Sequence, residues 1–299
     1  MKRARIIYNP TSGKEAFRKQ LPDVLEKLER AGYETSCHAT TCAGDAKKAA
    51  TAAGERGVYD VVIAAGGDGT INEVVTGLMQ VKNPPKLGVI PVGTTNDFGR
   101  AMHIGRDILS AVEVITDGHT IPVDIGRAND KYFINIAAMG NLTEISYEAP
   151  SKLKTVLGEF AYVIKGVEKL PFIHPTFVEI DYDGKKFEDE IMLFLLSNTN
   201  SVGGFEKLVP EASVNDGVFD MIIVRKGSIP EMVGLLRRAS KGTHINHPLV
   251  YHERVSRVKI TAKEKLQLNL DGEYGGEVPV EFENLHQRLR VFVPEGYKG

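Results

Sequence analysis

The sequence is short of cysteine: Cys37 and Cys42 are the only two in 299 residues. With no signal peptide ahead of the strand-like RARIIYNP, this points to a reducing cytoplasm, and the pair reads as small core or half-buried residues with no redox role. No apolar run reaches the ~18 residues that a membrane-spanning helix requires, so the chain reads as soluble, with a peripheral membrane role left open. Neither sign of charge dominates, 37 Lys+Arg standing against 39 Asp+Glu. That balance excludes a nucleic-acid binder working through a broad basic face and points to a smaller partner. There is no fixed-period repeat and no low-complexity linker. The phosphate-binding patterns GxxxxGK[ST] and GxGxxG are both missing.

What is present divides in two. Up to about residue 120, short apolar runs alternate with helical patterns, the mark of βαβ units around a parallel sheet. Strands are expected at Arg5 to Tyr8, Tyr33 to Ala39, Asp60 to Ala65 and Leu87 to Pro91. Helices are expected at Lys14 to Ala31, bent or divided by Pro22, and at Gly44 to Arg56, Thr70 to Gln80 and Asp107 to Thr116. Beyond that point β-formers alternate around tight-turn residues such as Asp183-Gly184, which signals antiparallel sheet. Strands are expected at Val178 to Tyr182, Glu190 to Ser197, Val218 to Val224, Val255 to Thr261, Lys265 to Leu270, Val278 to Phe282 and Leu289 to Val293, and helices at Ser151 to Leu170 and Ile229 to Ala239. The expected domains are residues 1–125, an α/β nucleotide domain, and 126–299, a β-rich domain whose last residues pack back on the first.

The segment VVIAAGGDGTINEVV, Val61 to Val75, carries the most chemistry. A buried strand that ends in Gly66-Gly67-Asp68-Gly69-Thr70 and opens a helix aims consecutive N–H groups and the positive helix end at one point, which suits a phosphate. Glycine lets the phosphate reach bare backbone, while Thr70 and Asn72 add short polar groups. Asp68 would repel a polyphosphate unless a cation lies between them. It therefore implies Mg²⁺ or a base near a reacting hydroxyl, with a structural Asx-type turn as the plain alternative. Two further polar loops, Asn9-Pro10-Thr11-Ser12-Gly13 and Gly93-Thr94-Thr95-Asn96-Asp97-Phe98, follow strands that should end on the same sheet edge. In the second half, Leu268 to Gly276 (LNLDGEYGG) places Asp271 and Glu273 at a strand end, and Ala212 to Val218 (ASVNDGV) reads as a metal-binding loop or as a turn.

Taken together, NPTSGK at Asn9 to Lys14, AAGGDGTINEVV at Ala64 to Val75, PVGTTNDFGR at Pro91 to Arg100, FEKLVPEASVNDGVFD at Phe205 to Asp220 and LNLDGEYGG resemble the soluble bacterial diacylglycerol kinases over essentially the whole chain. GGDGT by itself also marks NAD kinases and resembles phosphofructokinase loops. The resemblance implies an α/β fold with an N-terminal parallel-sheet nucleotide domain, a C-terminal mainly antiparallel β-sandwich domain and an active site in the cleft between them. It implies that ATP phosphorylates the free hydroxyl of diacylglycerol to phosphatidic acid, with Mg²⁺, in phospholipid and lipoteichoic-acid-type lipid recycling. An NAD kinase or other GGDGT-type small-alcohol or sphingoid kinase is the nearest alternative, and a non-catalytic nucleotide- or lipid-binding regulator the next.

Position by position, the resemblance assigns ATP contacts to Asn9, Pro10, Thr11, Ser12, Gly13, Thr40 (with Thr41 able to serve instead), Gly66, Gly67, Asp68, Gly69, Thr70, Ile71, Asn72 and Thr94. Glu273 becomes the proton acceptor and Asp68 its partner. Asp216, with main-chain oxygens of Ser213 and Val218, becomes a structural Mg²⁺ site, while Asp68, Asp97 and Asp124 form an acid cluster that organises water and Mg²⁺. A peripheral, cytoplasmic homodimer acting on diacylglycerol at an anionic phospholipid surface follows, with no nucleic-acid partner. Lys14, Arg18, Lys152, Lys154, Lys165 and Lys169 are candidates for the surface that faces lipid. His244 and His247 read as a polar surface loop, and Lys259, Lys263 and Lys265 as a solvated sheet face.

Overall fold

Strands β1 (Lys2–Tyr8), β2 (Tyr33–Ala39), β3 (Val61–Gly66) and β4 (Lys86–Pro91) pair in parallel in the order β2-β1-β3-β4. β3 is buried at every position, as expected for a strand covered on both faces, and its sequence VVIAAG accordingly carries no polar alternation. The computed structural model describes residues 1–140, 174–200, 209, 212–239 and 242–299. Its chain divides into one unit of Met1–Ile125 with His286–Gly299 and a second of Gly126–Leu285.

In the first unit, helices α1 (Ala16–Arg30), α2 (Asp45–Arg56), α3 (Asp68–Met79), α4 (Asp97–Ala101) and α5 (Ile108–Asp117) link and cover the strands. α1 runs continuously through Pro22, contrary to a division there. Pro22 is exposed, so the carbonyl it leaves without an N–H partner faces the solvent side of the helix. α1 buries Phe17, Val24 and Leu28. α3 buries Ile71, Val74, Val75 and Leu78, each side chain contributing about 1.5–3 kcal/mol. α2 and α3 approach closely at Gly77, where a Cβ would lie 2.3 Å from the Lys47 carbonyl oxygen. The carboxylate of Glu73 reaches from α3 to the start of α2 and accepts the N–H groups of Gly44 at 2.8 Å and Ala46 at 3.1 Å.

The second unit is antiparallel and sandwich-like. It contains β6 (Lys131–Phe133), β7 (Ile136–Met139), β8 (Thr176–Tyr182), β9 (Lys185–Ser197), β10 (Phe219–Arg225), β11 (Val250–Val255), β12 (Arg257–Ala262), β13 (Gln267–Leu270) and β14 (Glu273–Glu277). Two strands pass through the unit boundaries, β5 (Thr120–Ala128) and β15 (Val280–Phe292). β9 pairs with β7, β8 and β10, and β7 continues through β13 to β14. Phe133 stacks on Phe219 at 5.4 Å between centroids, and Phe282 meets both Phe133 and Phe194. Helix α6 (Ile229–Ala239) lays Met232 and Leu235 against Met192 and Val224.

Several local expectations change. The run Val255 to Thr261 is broken at Ser256, because the Asp183 carboxylate takes the N–H groups of Ser256 and Arg257 at 2.8 and 3.0 Å. The two C-terminal runs, expected as separate strands, form the single strand β15. Cys37 and Cys42 are exposed free thiols and not core residues. Cys37 lies on β2, at the end of the parallel strand order. His244 lies in a turn segment with exposed neighbours, but its own side chain is buried, 3% exposed, contrary to a surface position. The expected helix Ser151 to Leu170, with its lysines, and Phe205 to Leu208 lie outside the described residues.

Candidate active site

Three loops leave the C-terminal ends of β1, β3 and β4 and touch through their backbones. The N–H of Asn9 donates to the Ala65 carbonyl at 3.0 Å, and that of Val92 to the Gly66 carbonyl at 2.8 Å. A Cβ on Gly13 would stand 2.6 Å from the Val92 carbonyl oxygen, and one on Gly93 would stand 2.6 Å from the Gly67 Cα. Only glycine permits these approaches, which is the physical reason for its repetition in the three motifs.

In the first loop, Asn9 Oδ1 accepts both the N–H and the hydroxyl of Thr11, at 3.0 and 2.8 Å. Gly13, Lys14 and Glu15 then follow in left-handed conformation, with φ of 57°, 57° and 65°. Two of these are not glycine, so the turn stores strain of the kind found at ligand-holding loops. Pro10 and Ser12 complete the turn, the Ser12 N–H donating to the Asn9 carbonyl at 3.3 Å.

In the second loop α3 starts at Asp68, and the first helical bond runs from the Ile71 N–H to the Gly67 carbonyl at 3.1 Å. The N–H groups of Gly69 and Thr70 therefore have no intrahelical acceptor, and they stand at the positive end of the helix. Thr70 folds over Gly66. Ile71 departs from the pattern: its N–H is used in the helix and its side chain is fully buried. Asn72 accepts the Thr76 hydroxyl at 3.4 Å.

Asp68 is not an Asx turn within its own loop. Its two oxygens accept the N–H groups of Asn96 at 2.9 Å and Asp97 at 2.8 Å, fastening the β3 loop to the β4 loop. Burial pushes this carboxyl above its ordinary value, the Asp97 charge adds to the rise, and the two N–H donors oppose it. Asn96 was not singled out in the sequence, yet it is 1% exposed, sits at φ 57° and bonds both the N–H and the carbonyl of Gly93, at 2.7 and 2.8 Å. The signal available was an Asn three residues beyond a glycine, where left-handed backbone and local side-chain bonding coincide. Thr94 is exposed, and its carbonyl accepts from Arg106 at 2.9 Å.

Thr40 and Thr41 differ in how they are used. Asp45 accepts the Thr41 N–H at 2.8 Å and its hydroxyl at 3.0 Å. The Thr40 N–H donates to the Tyr8 carbonyl at 2.9 Å.

The acids expected at Mg²⁺ are placed as follows. Asp124 is fully buried and accepts the Gln287 N–H at 2.6 Å, with His286 Nδ1 at 3.1 Å. Asp97 opens α4 beside Asp68. In the second unit, Asp216 accepts the Val218 N–H at 3.2 Å and pairs with Arg254, while the Ser213 hydroxyl donates to Asn215 at 3.1 Å. Among the described residues no three His, Cys, Asp or Glu side chains are grouped closely enough to hold a metal ion. The Ser213–Val218 loop instead offers one carboxylate and main-chain carbonyls. That all-oxygen donor set suits a hard cation such as Mg²⁺.

The two acids of LNLDGEYGG have opposite surroundings. Asp271 accepts the N–H groups of Ile134, Asn135 and Ile136 at 2.7, 2.8 and 2.9 Å. Glu273, at the first position of β14, is exposed, and among the described residues its carboxylate has no hydrogen-bond or ion-pair partner.

Comparison with known proteins agrees with this description. The family profile "Diacylglycerol kinase catalytic domain" matches residues 3–128, and "YegS C-terminal NAD kinase beta sandwich-like domain" matches residues 144–293. A Bacillus subtilis protein named diacylglycerol kinase is 58% identical over 296 residues, 99% of this chain and 97% of its own. A protein of the same name from Staphylococcus aureus is 55% identical over 293 residues, 98% of this chain and 93% of its own. The crystal structure of a diacylglycerol kinase from Bacillus anthracis aligns with a TM-score of 0.78 at 25% identity, covering 98% of this chain and 97% of that one. With a parallel α/β unit built around GGDGT and an antiparallel unit carrying LDGE, the chain belongs to the diacylglycerol kinase family.

Proposed function

We propose that this protein transfers the terminal phosphoryl group of ATP to the free hydroxyl of diacylglycerol, giving phosphatidic acid and ADP. The observation that carries the reading is the backbone contact of three strand-end loops, in one of which the N–H groups of Gly69 and Thr70 have no intrahelical acceptor. Phosphoryl transfer asks a protein chiefly for positioning and for charge stabilisation. Gly66 to Thr70, the Asn9–Gly13 turn and Thr94 supply main-chain and hydroxyl groups suited to a phosphate chain. Thr40 is favoured over Thr41, because the Thr41 hydroxyl is engaged by Asp45.

A glyceride hydroxyl is a weak nucleophile. As its oxygen bonds to phosphorus and the bond to the ADP oxygen breaks, its proton passes to the Glu273 carboxylate, an assistance worth ~10² to 10⁴ in rate. Support for this role is the exposure of Glu273 and the lack of a partner for its carboxylate among the described residues. Bound Mg²⁺ would neutralise phosphate charge. Asp68 and its neighbour Asp97 are the acids that would hold it on the nucleotide side, with Asp124, held by Gln287 and His286, in a supporting role. Asp216, now paired with Arg254, would with the Ser213 and Val218 carbonyls hold a structural cation.

Among the described residues no helix is long and apolar enough to cross a membrane. Exposed Lys14 and Arg18 are proposed to meet an anionic lipid surface, each adding about 1 kcal/mol of attraction. Vesicle binding that requires anionic lipid and weakens with salt supports this; salt-independent binding rejects it. A homodimer is part of the reading and is checked by mass in solution.

The test of function is a substrate screen with labelled ATP, offering diacylglycerol in mixed micelles, NAD and a sphingoid base in parallel. Label in phosphatidic acid is the expected result. Label in NAD with none in lipid would replace this reading with that of an NAD kinase.

A further inference from the structure

A tight hairpin such as the one joining β13 to β14 needs two left-handed residues, and Asp271 and Gly272 supply them with φ of 50° and 93°. Asn269 closes the turn from within, its Oδ1 accepting the Gly272 N–H at 2.9 Å. Nothing in the turn itself calls for the Asp271 carboxylate. That group points away from its own hairpin and collects three consecutive N–H groups of residues 134–136, through Oδ2 at 2.7 Å and through Oδ1 at 2.8 and 2.9 Å. The Asp271 N–H donates in return to the Ile136 carbonyl at 3.0 Å. Two residues later, Glu273 leaves the same turn exposed.

We propose that Asp271 is a positioning residue for phosphoryl transfer: by fastening its turn to the 134–136 backbone, it sets the direction in which the Glu273 carboxylate is presented. The proposal rests on the reading of Glu273 as proton acceptor. It adds that a neighbouring acid, never touching substrate, decides how well that acceptor works. Asparagine would not replace it. Both residues tolerate the left-handed backbone, but an amide has one acceptor oxygen, and its NH₂ would face the Ile134 N–H donor to donor.

The experiment is a double-mutant cycle on the full-length protein with Asp271→Asn, Glu273→Gln and the pair, measuring kcat, the KM for ATP and the thermal midpoint. Asp271→Asn is expected to lower kcat ~10- to 100-fold, the scale set by an ångström-sized misplacement of a reacting group. The KM for ATP should stay within a factor of ~2. In the Glu273→Gln background, Asp271→Asn should then lower the residual rate no further, because the group it positions is already gone.

A folded Asp271→Asn enzyme with unchanged kcat overturns the proposal and leaves Glu273 as it was. So does a loss that multiplies with that of Glu273→Gln. Ordinary turnover by Glu273→Gln alone overturns the underlying reading, whatever Asp271 does. If Asp271→Asn does not fold, Asn269→Ser takes its place: a hydroxyl on the shorter side chain does not reach the Gly272 N–H, so the same loss of kcat without loss of ATP affinity is expected, and unchanged kcat refutes the proposal.

Discussion

Asp68 accepts the main-chain N–H of Asn96 at 2.9 Å across a separation of 28 residues. With the companion bond to the Asp97 N–H at 2.8 Å, it ties the loop after β3 to the loop after β4. The same carboxylate is proposed to act beside the phosphates, so one side chain serves the shape of the site and its charge. Asp68→Ala leaves both N–H groups without their acceptor. A buried or half-buried N–H left unpaired costs about 1–3 kcal/mol, and because water partly reaches the Asp97 group the two together amount to roughly one full share. We expect a loss of stability in that range and a larger loss of ATP binding, seen by denaturant unfolding and by calorimetric titration with an ATP analogue. An Asp68→Ala protein that binds the analogue normally would remove Asp68 from both roles.

Gly93→Ala tests the contact of the loops by size alone. Its Cβ would stand 2.6 Å from the Gly67 Cα and 2.8 Å from Asn96 Oδ1. Both neighbours are held by hydrogen bonds in the interlock, so the two loops must separate. Overpacking of this kind costs about 1–3 kcal/mol. The expected outcome is an intact fold with ATP affinity reduced ~10-fold or more, since 1.4 kcal/mol is a factor of ten in an equilibrium constant. Unchanged affinity would mean that the interlock does not shape the phosphate site.

Glu273→Gln keeps the size of the side chain and removes only its capacity to take a proton. The residue is exposed and its carboxylate has no partner among the described residues, so stability should change by no more than about 0.5 kcal/mol. ATP binding should be retained and transfer to diacylglycerol lowered ~10²- to 10⁴-fold, leaving a small residual rate. Steady-state rates and analogue titration on the same preparation separate these outcomes.

The pH behaviour of Asp68 has a definite sign. Burial first, and then the Asp97 charge, raise its carboxyl above the ordinary 3.8. The folded state therefore holds the proton more tightly than the unfolded state. The stabilisation from this group is complete below the unfolded value and is lost as pH rises through the raised folded value. Carboxyl-carbon NMR should find Asp68 titrating above the ordinary aspartate range. Asp97→Asn should lower that midpoint by removing the second cause. A midpoint below the ordinary value in the unaltered protein would contradict the assignment.

Glu73 predicts a purely structural effect. Its carboxylate serves the Gly44 and Ala46 N–H groups at the start of α2, a helix with no cap from its own N-terminal residue. Glu73→Ala should lower stability by about 0.5–2 kcal/mol, as loss of a cap does. The m-value of urea unfolding should be unchanged, since the surface exposed on unfolding stays the same.

The amino-acid order alone determined the fold class and most of the elements within it. The unbroken apolar run of β3 announced a covered parallel strand, and the Asp183-Gly184 turn announced an antiparallel hairpin, because hydrophobic periodicity and turn chemistry act over a few residues. The strand-end loops were equally legible as glycine-rich, and so was their common edge, which follows from parallel strands. Asp68 as a bolt between loops was not legible. It depends on β4 lying beside β3, a relation that no window along the chain contains. Asp271 and Glu273, two residues apart in one motif, looked alike in sequence, and only the approach of residues 134–136 separated a half-buried anchor from an exposed acid. His244 was misread for the same reason: the burial of a polar side chain is set by what packs over it, and the covering residues come from elsewhere in the chain.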